Sequence, residues 1–210
     1  MIEAVIFDLD GVIVSTDDCH YKAWKKLAEQ ENIYFDRKIN EKLRGVSRMD
    51  SLNIVLERSD RQYDDEQKRA LAQRKNEYYV KLIDKLTEND VLAGVMENLK
   101  DLKQHGIKIA IGSSSKNAPL ILKRIGLDTY FDAVSDGNNI SKSKPDPEVF
   151  LKAASMLGVS PEKCLVVEDS DSGIAAGKKG NMLTLAVGSA SGGDYYRKSL
   201  EGVRITDIIK

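Results

Sequence analysis

The 210-residue chain reads as an α/β protein: a doubly wound, Rossmann-like parallel sheet with an all-helical segment inserted into it. Three observations carry that reading. Short runs of Val, Ile, Leu and Ala recur with helical patterns between them, as in a parallel sheet covered on both faces. Each run is bounded by turn or helix-capping residues. One stretch, from Thr16 to Leu86, breaks the alternation and is helical throughout.

The first strand is "EAVIF". The helical stretch follows, opening with "DDCHYKAWKKLAEQEN", in which Tyr21, Trp24, Leu27 and Ala28 share a face. It returns near "TENDVLAGV", so the expected division is an α/β core of residues 1–15 and 87–210 and a helical cap of residues 16–86. Two connections to the core suit a lid that closes over a site. The helix "VMENLKDLKQH" stops at Gly106, strand "IKIAIG" follows, and helix "NAPLILKRI" stops at Gly126 before strand "DAVS". In "KPDPEVFLKAASMLG" Asp146 is placed to cap, Pro147 suits the first turn, and Val149, Phe150, Ala153, Ala154 and Leu157 form one stripe before Gly158. Strands "CLVVE" and "LTLAVG" complete the set. The late "GSASGGD" run lacks the Lys-Ser/Thr partner of a phosphate-cradling loop and reads as a surface turn.

Charged residues make up 31% of the chain and the formal net charge is −1. That balance gives no general attraction to nucleic acid or to anionic membranes. No apolar run approaches the roughly 20 residues that span a bilayer, and the first residues lack a secretory pattern, so the cytoplasm is the expected location. Cys19 and Cys164 match no metal-ligand spacing and read as reduced structural thiols. With no obvious extra interaction segment, a monomer is expected.

Ligands of open parallel sheets gather at the carboxyl ends of the strands. There the sequence places Asp8 and Asp10 after the first strand, Ser113, Ser114, Ser115, Lys116 and Asn117 after the second, and Glu168 and Asp169 after "CLVV". Lys144 lies in the loop "SKSKPDP". Four acids at a low-dielectric rim repel one another unless a cation intervenes. Oxygen donors without His or Cys favour Mg²⁺, which commonly completes its shell with substrate phosphate. Ser113 and Lys144 then suit the remaining phosphoryl oxygens. A carboxylate aimed at phosphorus can act as nucleophile, and one two residues on can trade a proton with a hydroxyl. A lone strand-end acid is often only a cap or turn residue; the ordered set of four motifs argues otherwise. Arg48, Lys75 and His20, within the helical stretch, read by default as surface groups.

The motifs "DLDGV", "SSSK", "KPDP" and "VVEDS" resemble, in order, those of the haloacid dehalogenase superfamily of aspartyl phosphotransferases. "DLDGVIVSTDDCHYKAW", "LRGVSRMDSL" and "QRKNEYY" are similar to its helical-cap subgroup, on the side of the sugar-phosphate mutases. The resemblance implies that Asp8 is the nucleophile and Asp10 the general acid/base. It implies Mg²⁺ on Asp8, the Asp10 carbonyl and Asp169, with Glu168 direct or through water. Ser113 and Lys144 steady the phosphoryl group; Ser114, Lys116 and Asn117 hold the sugar or its second phosphate. In the cap, Arg48 grips the non-transferring phosphate, Gly45, Val46 and Ser47 line the sugar pocket, His20 and Lys75 assist closure, and Thr16 falls at the hinge. The implied reaction interconverts β-D-glucose 1-phosphate and D-glucose 6-phosphate through an aspartyl phosphate and glucose 1,6-bisphosphate, with a small-molecule sugar phosphate as partner. The alternatives are a phosphatase of the same fold acting on a small monoester, and a non-catalytic binding protein. Against the last stands the presence of all four acids. Ser114, the polar approach to Lys144 and a short C-terminus depart from the mutase pattern, which leaves sugar specificity more open than the chemistry.

Overall fold

A computed structural model describes residues 1–209. Six strands form one parallel sheet: β1 (Ala4–Phe7), β2 (Lys108–Gly112), β3 (Ala133–Ser135), β4 (Cys164–Glu168), β5 (Leu183–Val187) and β6 (Tyr195–Arg197), in the order β3-β2-β1-β4-β5-β6. The chain runs outward from β1 through β2 to β3, then returns to pair β4 on the other side of β1. That reversal opens a crevice at the carboxyl edge, where such sheets bind ligands. Phe7 sits level with Ile111 and Val167, so the segments leaving β1, β2 and β4 emerge side by side.

Alternation along each strand sends side chains to both faces. Val5, Phe7, Ile109, Ile111, Leu165 and Val167 pack with Leu99 and Leu102 of α5 (Val95–Gln104) and Ile121 and Leu122 of α6 (Ala118–Arg124). On the other face Ala4, Ile6, Ala110 and Val166 meet Val149, Phe150 and Ala153 of α7 (Glu148–Leu157). Helix α8 (Asp171–Lys179) links β4 to β5, and α9 (Ile205–Ile208) ends the described chain.

The helical insertion comprises α1 (Asp17–Gln30), α2 (Arg37–Glu41), α3 (Arg48–Leu56) and α4 (Asp65–Ile83). It has an apolar cluster of its own around Trp24, Leu27, Phe35, Leu52, Val55 and Leu71. Emptying so closed a cluster with Trp24→Ala costs about 3–5 kcal/mol. The far end of α4 behaves differently: Tyr79 and Ile83 pack into the cluster of the α/β core. Asp64 and Gln67 close a reciprocal cap that starts α4.

Several expectations are adjusted; β2 and β3 begin one residue later than read, at Lys108 and Ala133, and β5 ends one residue earlier, at Val187. β6 is an additional strand, and its sequence "YYR" hides it because Tyr196 and Arg197 are exposed. Pro147 is the N-cap of α7 and not part of its first turn; Asp146 Oδ1 accepts the Glu148 amide at 3.0 Å. The first strand begins at Ala4. Gly106, Gly126 and Gly158 take left-handed φ at the helix ends, as expected. Among the described residues no helix is long and apolar enough to cross a membrane.

Candidate active site

The centre of the site is a buried ion-pair triad. Lys144 Nζ donates to Asp8 Oδ1 at 2.5 Å and to Glu168 Oε1 at 2.6 Å, and none of the three side chains meets solvent appreciably. Burial disfavours the ammonium, but Asp8 and Glu168 outweigh it and raise the Lys144 pKa. Burial raises the Asp8 carboxyl against the pull of Lys144, and Glu168, Asp10 and Asp169 add to the rise. Too much negative charge therefore faces one lysine.

Glu168 is fixed on its other side. Its Oε2 accepts the Ser170 amide at 2.7 Å and the Ser170 hydroxyl at 2.9 Å, while Ser170 also caps α8 through the Gly173 amide. A Cβ on Gly173 would sit 2.0 Å from the Glu168 carboxyl carbon. With both oxygens engaged by Lys144 and Ser170, Glu168 would meet a metal more readily through water than directly. Burial, then Glu168, push Asp169 up to about 7 against Arg44 and Lys144. Gly11, at φ +96°, has no Cβ because one would meet Asp169 Oδ2 at 2.1 Å.

Among the described residues no three His, Cys, Asp or Glu side chains form a ready metal cage. The expected set asks for fewer: Asp8, Asp169 and one main-chain carbonyl. These are all hard oxygen donors beside excess negative charge, and the missing Gly11 Cβ leaves room for the Asp169 carboxylate. The residues fit Mg²⁺.

Asp10 is held by Thr16, whose hydroxyl donates to Asp10 Oδ1. Thr16 is the N-cap of α1, yet its side chain caps no amide; it is committed to Asp10. Burial raises the Asp10 pKa, and Thr16, Lys144 and Lys75 pull it back. Ser113 is buried and its Oγ accepts the Ser115 amide at 3.1 Å, which tightens the turn after β2.

A cavity of about 790 Å³ runs from this centre under the insertion, and Gly45, Val46, Ser47, Arg48, His20, Lys75, Ser114, Lys116 and Asn117 line it together with Asp8, Asp10, Thr16, Ser113 and Asp169. Its far end is cationic. Lys75 Nζ lies 3.0 Å from His20 Nδ1, between the Trp24 and Tyr79 rings at 4.7 and 4.5 Å from their centroids. Burial, then Arg48, lower Lys75 to about 7 against Asp10. Burial, then Lys75 and Arg48, hold His20 well below the imidazole range. Arg48 begins α3 behind the Ser47 cap, and among the described residues it makes no ion pair; burial lowers its pKa.

Ser114 and Asn117 spend their side chains on the insertion: Ser114 Oγ donates to Gly45 O at 3.1 Å and Asn117 Nδ2 to Asn76 Oδ1 at 2.9 Å. Other contacts that seat the insertion escaped the sequence reading. Ser143 Oγ donates to Asp50 Oδ2 at 3.0 Å, Ser172 Oγ to Arg44 O at 3.3 Å, and Arg44 lies 3.9 Å from Asp169. The serine after "VVED" is a residue type that caps helices, a signal by which Ser170 could have been found; Asn76, Asp50 and Tyr79 leave no local signal.

The chain is 47% identical over 189 residues to a Bacillus subtilis β-phosphoglucomutase, covering 89% of this chain and 84% of that protein. It is 33% identical to a Thermotoga maritima phosphorylated carbohydrates phosphatase, over 84% of this chain and 81% of that one. The crystal structure of a Clostridium difficile β-phosphoglucomutase superposes with a TM-score of 0.93 at 41% identity, covering 99% of this chain and 96% of that one. The family model for haloacid dehalogenase-like hydrolases matches residues 2–181. This chain belongs to the haloacid dehalogenase-like hydrolase family.

Proposed function

We propose that the protein interconverts β-D-glucose 1-phosphate and D-glucose 6-phosphate through an aspartyl phosphate on Asp8 and glucose 1,6-bisphosphate. The observation that carries this reading is the two-ended cavity: Asp8 and Ser113 at one end, with Lys144 bonded to Asp8 behind them, and at the other Arg48, which has no ion pair among the described residues. A mutase must hold a bisphosphate in either orientation, so a second anion site remote from the nucleophile serves both half-reactions. Likeness to the two mutases named above supports the same reaction.

In the first half-reaction a sugar hydroxyl attacks the Asp8 phosphoryl group and Asp10 takes its proton. The bisphosphate turns over. Asp8 then attacks the other phosphorus, and Asp10 returns the proton to the leaving sugar oxygen. Lys144 and Ser113 hold the moving phosphoryl oxygens, while Ser114, Lys116 and Asn117 with Gly45, Val46 and Ser47 enclose the sugar. Asp8, the Asp10 carbonyl and Asp169, with Glu168 beside them, would hold Mg²⁺, and the ion would supply positive charge that offsets carboxylates and phosphate. The insertion, residues 16–86, acts as a lid with Thr16 at its hinge and His20 and Lys75 guiding its closure, and so shields the acyl phosphate from water. Incubation of β-glucose 1-phosphate with the protein, Mg²⁺ and a trace of the bisphosphate gives glucose 6-phosphate. Release of free phosphate at a comparable rate refutes the mutase reading in favour of a phosphatase.

A further inference from the structure

Tyr79 is 1% exposed, and its hydroxyl is, among the described residues, the one buried side-chain polar atom without a hydrogen-bond partner. A buried unpaired hydroxyl lowers stability, and such exceptions call for an explanation. Phenylalanine would fill the same space without that cost.

The surroundings supply one. The Tyr79 ring lies 4.1 Å from the His20 ring and 4.5 Å from Lys75 Nζ, and it packs into the apolar cluster of the core. Its hydroxyl is close enough to Asp10 and Thr16 to feel both, without meeting hydrogen-bond geometry to either. Thr16 is fully buried, and its hydroxyl donates to Asp10. When the Asp10 carboxylate turns toward a substrate oxygen, Thr16 loses its acceptor where water has no access. The one orphan hydroxyl, that of Tyr79, would become two unless Tyr79 and Thr16 meet.

We propose that Tyr79 is a positioning residue for Asp10: as the Asp10 carboxylate leaves Thr16 for the substrate, the Tyr79 oxygen receives the Thr16 hydroxyl. The swing then trades one buried hydrogen bond for another. This rests on the reading of Asp10 as the acid/base.

Tyr79→Phe keeps the ring and removes only the hydroxyl. Assayed beside wild type, it is expected to lower kcat about tenfold, the size of one hydrogen bond in the transition state, with KM within twofold. Its Tm should equal or exceed that of wild type, because an unpaired buried group is gone. In a Thr16→Val background the same change should cost less than twofold, since there is no Thr16 hydroxyl to receive. A kcat within twofold of wild type overturns the proposal. So does a loss accompanied by a lower Tm, or a tenfold loss that persists beside Val at position 16. A wild-type chain that liberates phosphate instead of glucose 6-phosphate refutes the mutase reading alone, and the Tyr79 comparison is then made on phosphate release.

Discussion

At the residue scale, the site depends on oxygen atoms whose partners are fixed on every side. Asp8 accepts from Lys144 at 2.5 Å; an amide there is no nucleophile and turns a donor toward the ammonium. Asp8→Asn is therefore expected to abolish turnover and phosphoenzyme labelling by a small acyl phosphate. Asp10→Asn should lower kcat by about 10²–10⁴-fold, the usual worth of a general acid/base, and rates unchanged in either variant would reassign the roles. Gly173 tests how tightly Glu168 is held. A methyl there would lie 2.0 Å from its carboxyl carbon, so Gly173→Ala must push Glu168 off Lys144 or Ser170, at a cost of about 1–3 kcal/mol in urea denaturation. Stability within 0.5 kcal/mol, roughly the surface-substitution range, would mean that the carboxylate has slack. Asp8, Asp10, Lys144 and Glu168 were legible because each follows a recognisable strand or sits in a short motif. Gly173 was not, since its meaning lies in a side chain that approaches it from β4.

At the element scale, the insertion is anchored in the core by Tyr79 and Ile83, and around the cavity it meets the core through polar contacts made mostly by small side chains: Ser114 to Gly45, Ser172 to Arg44, Ser143 to Asp50 and Asn117 to Asn76. Each is worth about 0.5–1.5 kcal/mol, a scale that suits a seat made and broken in every turnover. The strand and helix pattern of the core could be read from periodicity, and so could the helical character of the insertion. This seat could not, because its partners are 41 to 128 residues apart and no local pattern marks them. Edge strand β6 was missed for a related reason: with little buried side-chain surface it leaves no apolar run. The Ser143–Asp50 pair gives a test, since it ties α3 to the loop carrying Lys144, although Asp50 Oδ2 also accepts the Ser47 hydroxyl. Ser143→Ala and Asp50→Ala should each raise KM about 2- to 10-fold, and the double variant should match the worse single one. Additive losses would show that the two side chains act independently.

For the whole molecule, the raised carboxyls would link protons to the proposed metal. Burial, then Glu168, push Asp169 from its ordinary 3.8 up to about 7. Between those values the folded chain holds a proton that the unfolded chain has released, so this group's contribution to stability falls as pH rises from 3.8 to 7. Mg²⁺ needs the deprotonated carboxylate, and above that window it finds the charge already uncovered. Two opposite trends follow across one pH range. In EDTA, the contribution of Asp169 lowers the melting temperature as pH rises toward neutrality. The increment in melting temperature given by saturating Mg²⁺ should grow through the same range, level off above pH of about 7–8, and nearly vanish near pH 5. Differential scanning fluorimetry with and without Mg²⁺ reads both trends in the intact protein and requires no substrate. An increment that stays constant from acid to alkaline pH would separate Asp169 from the metal, whereas one that disappears in Asp169→Asn at every pH would fix the link to this carboxylate.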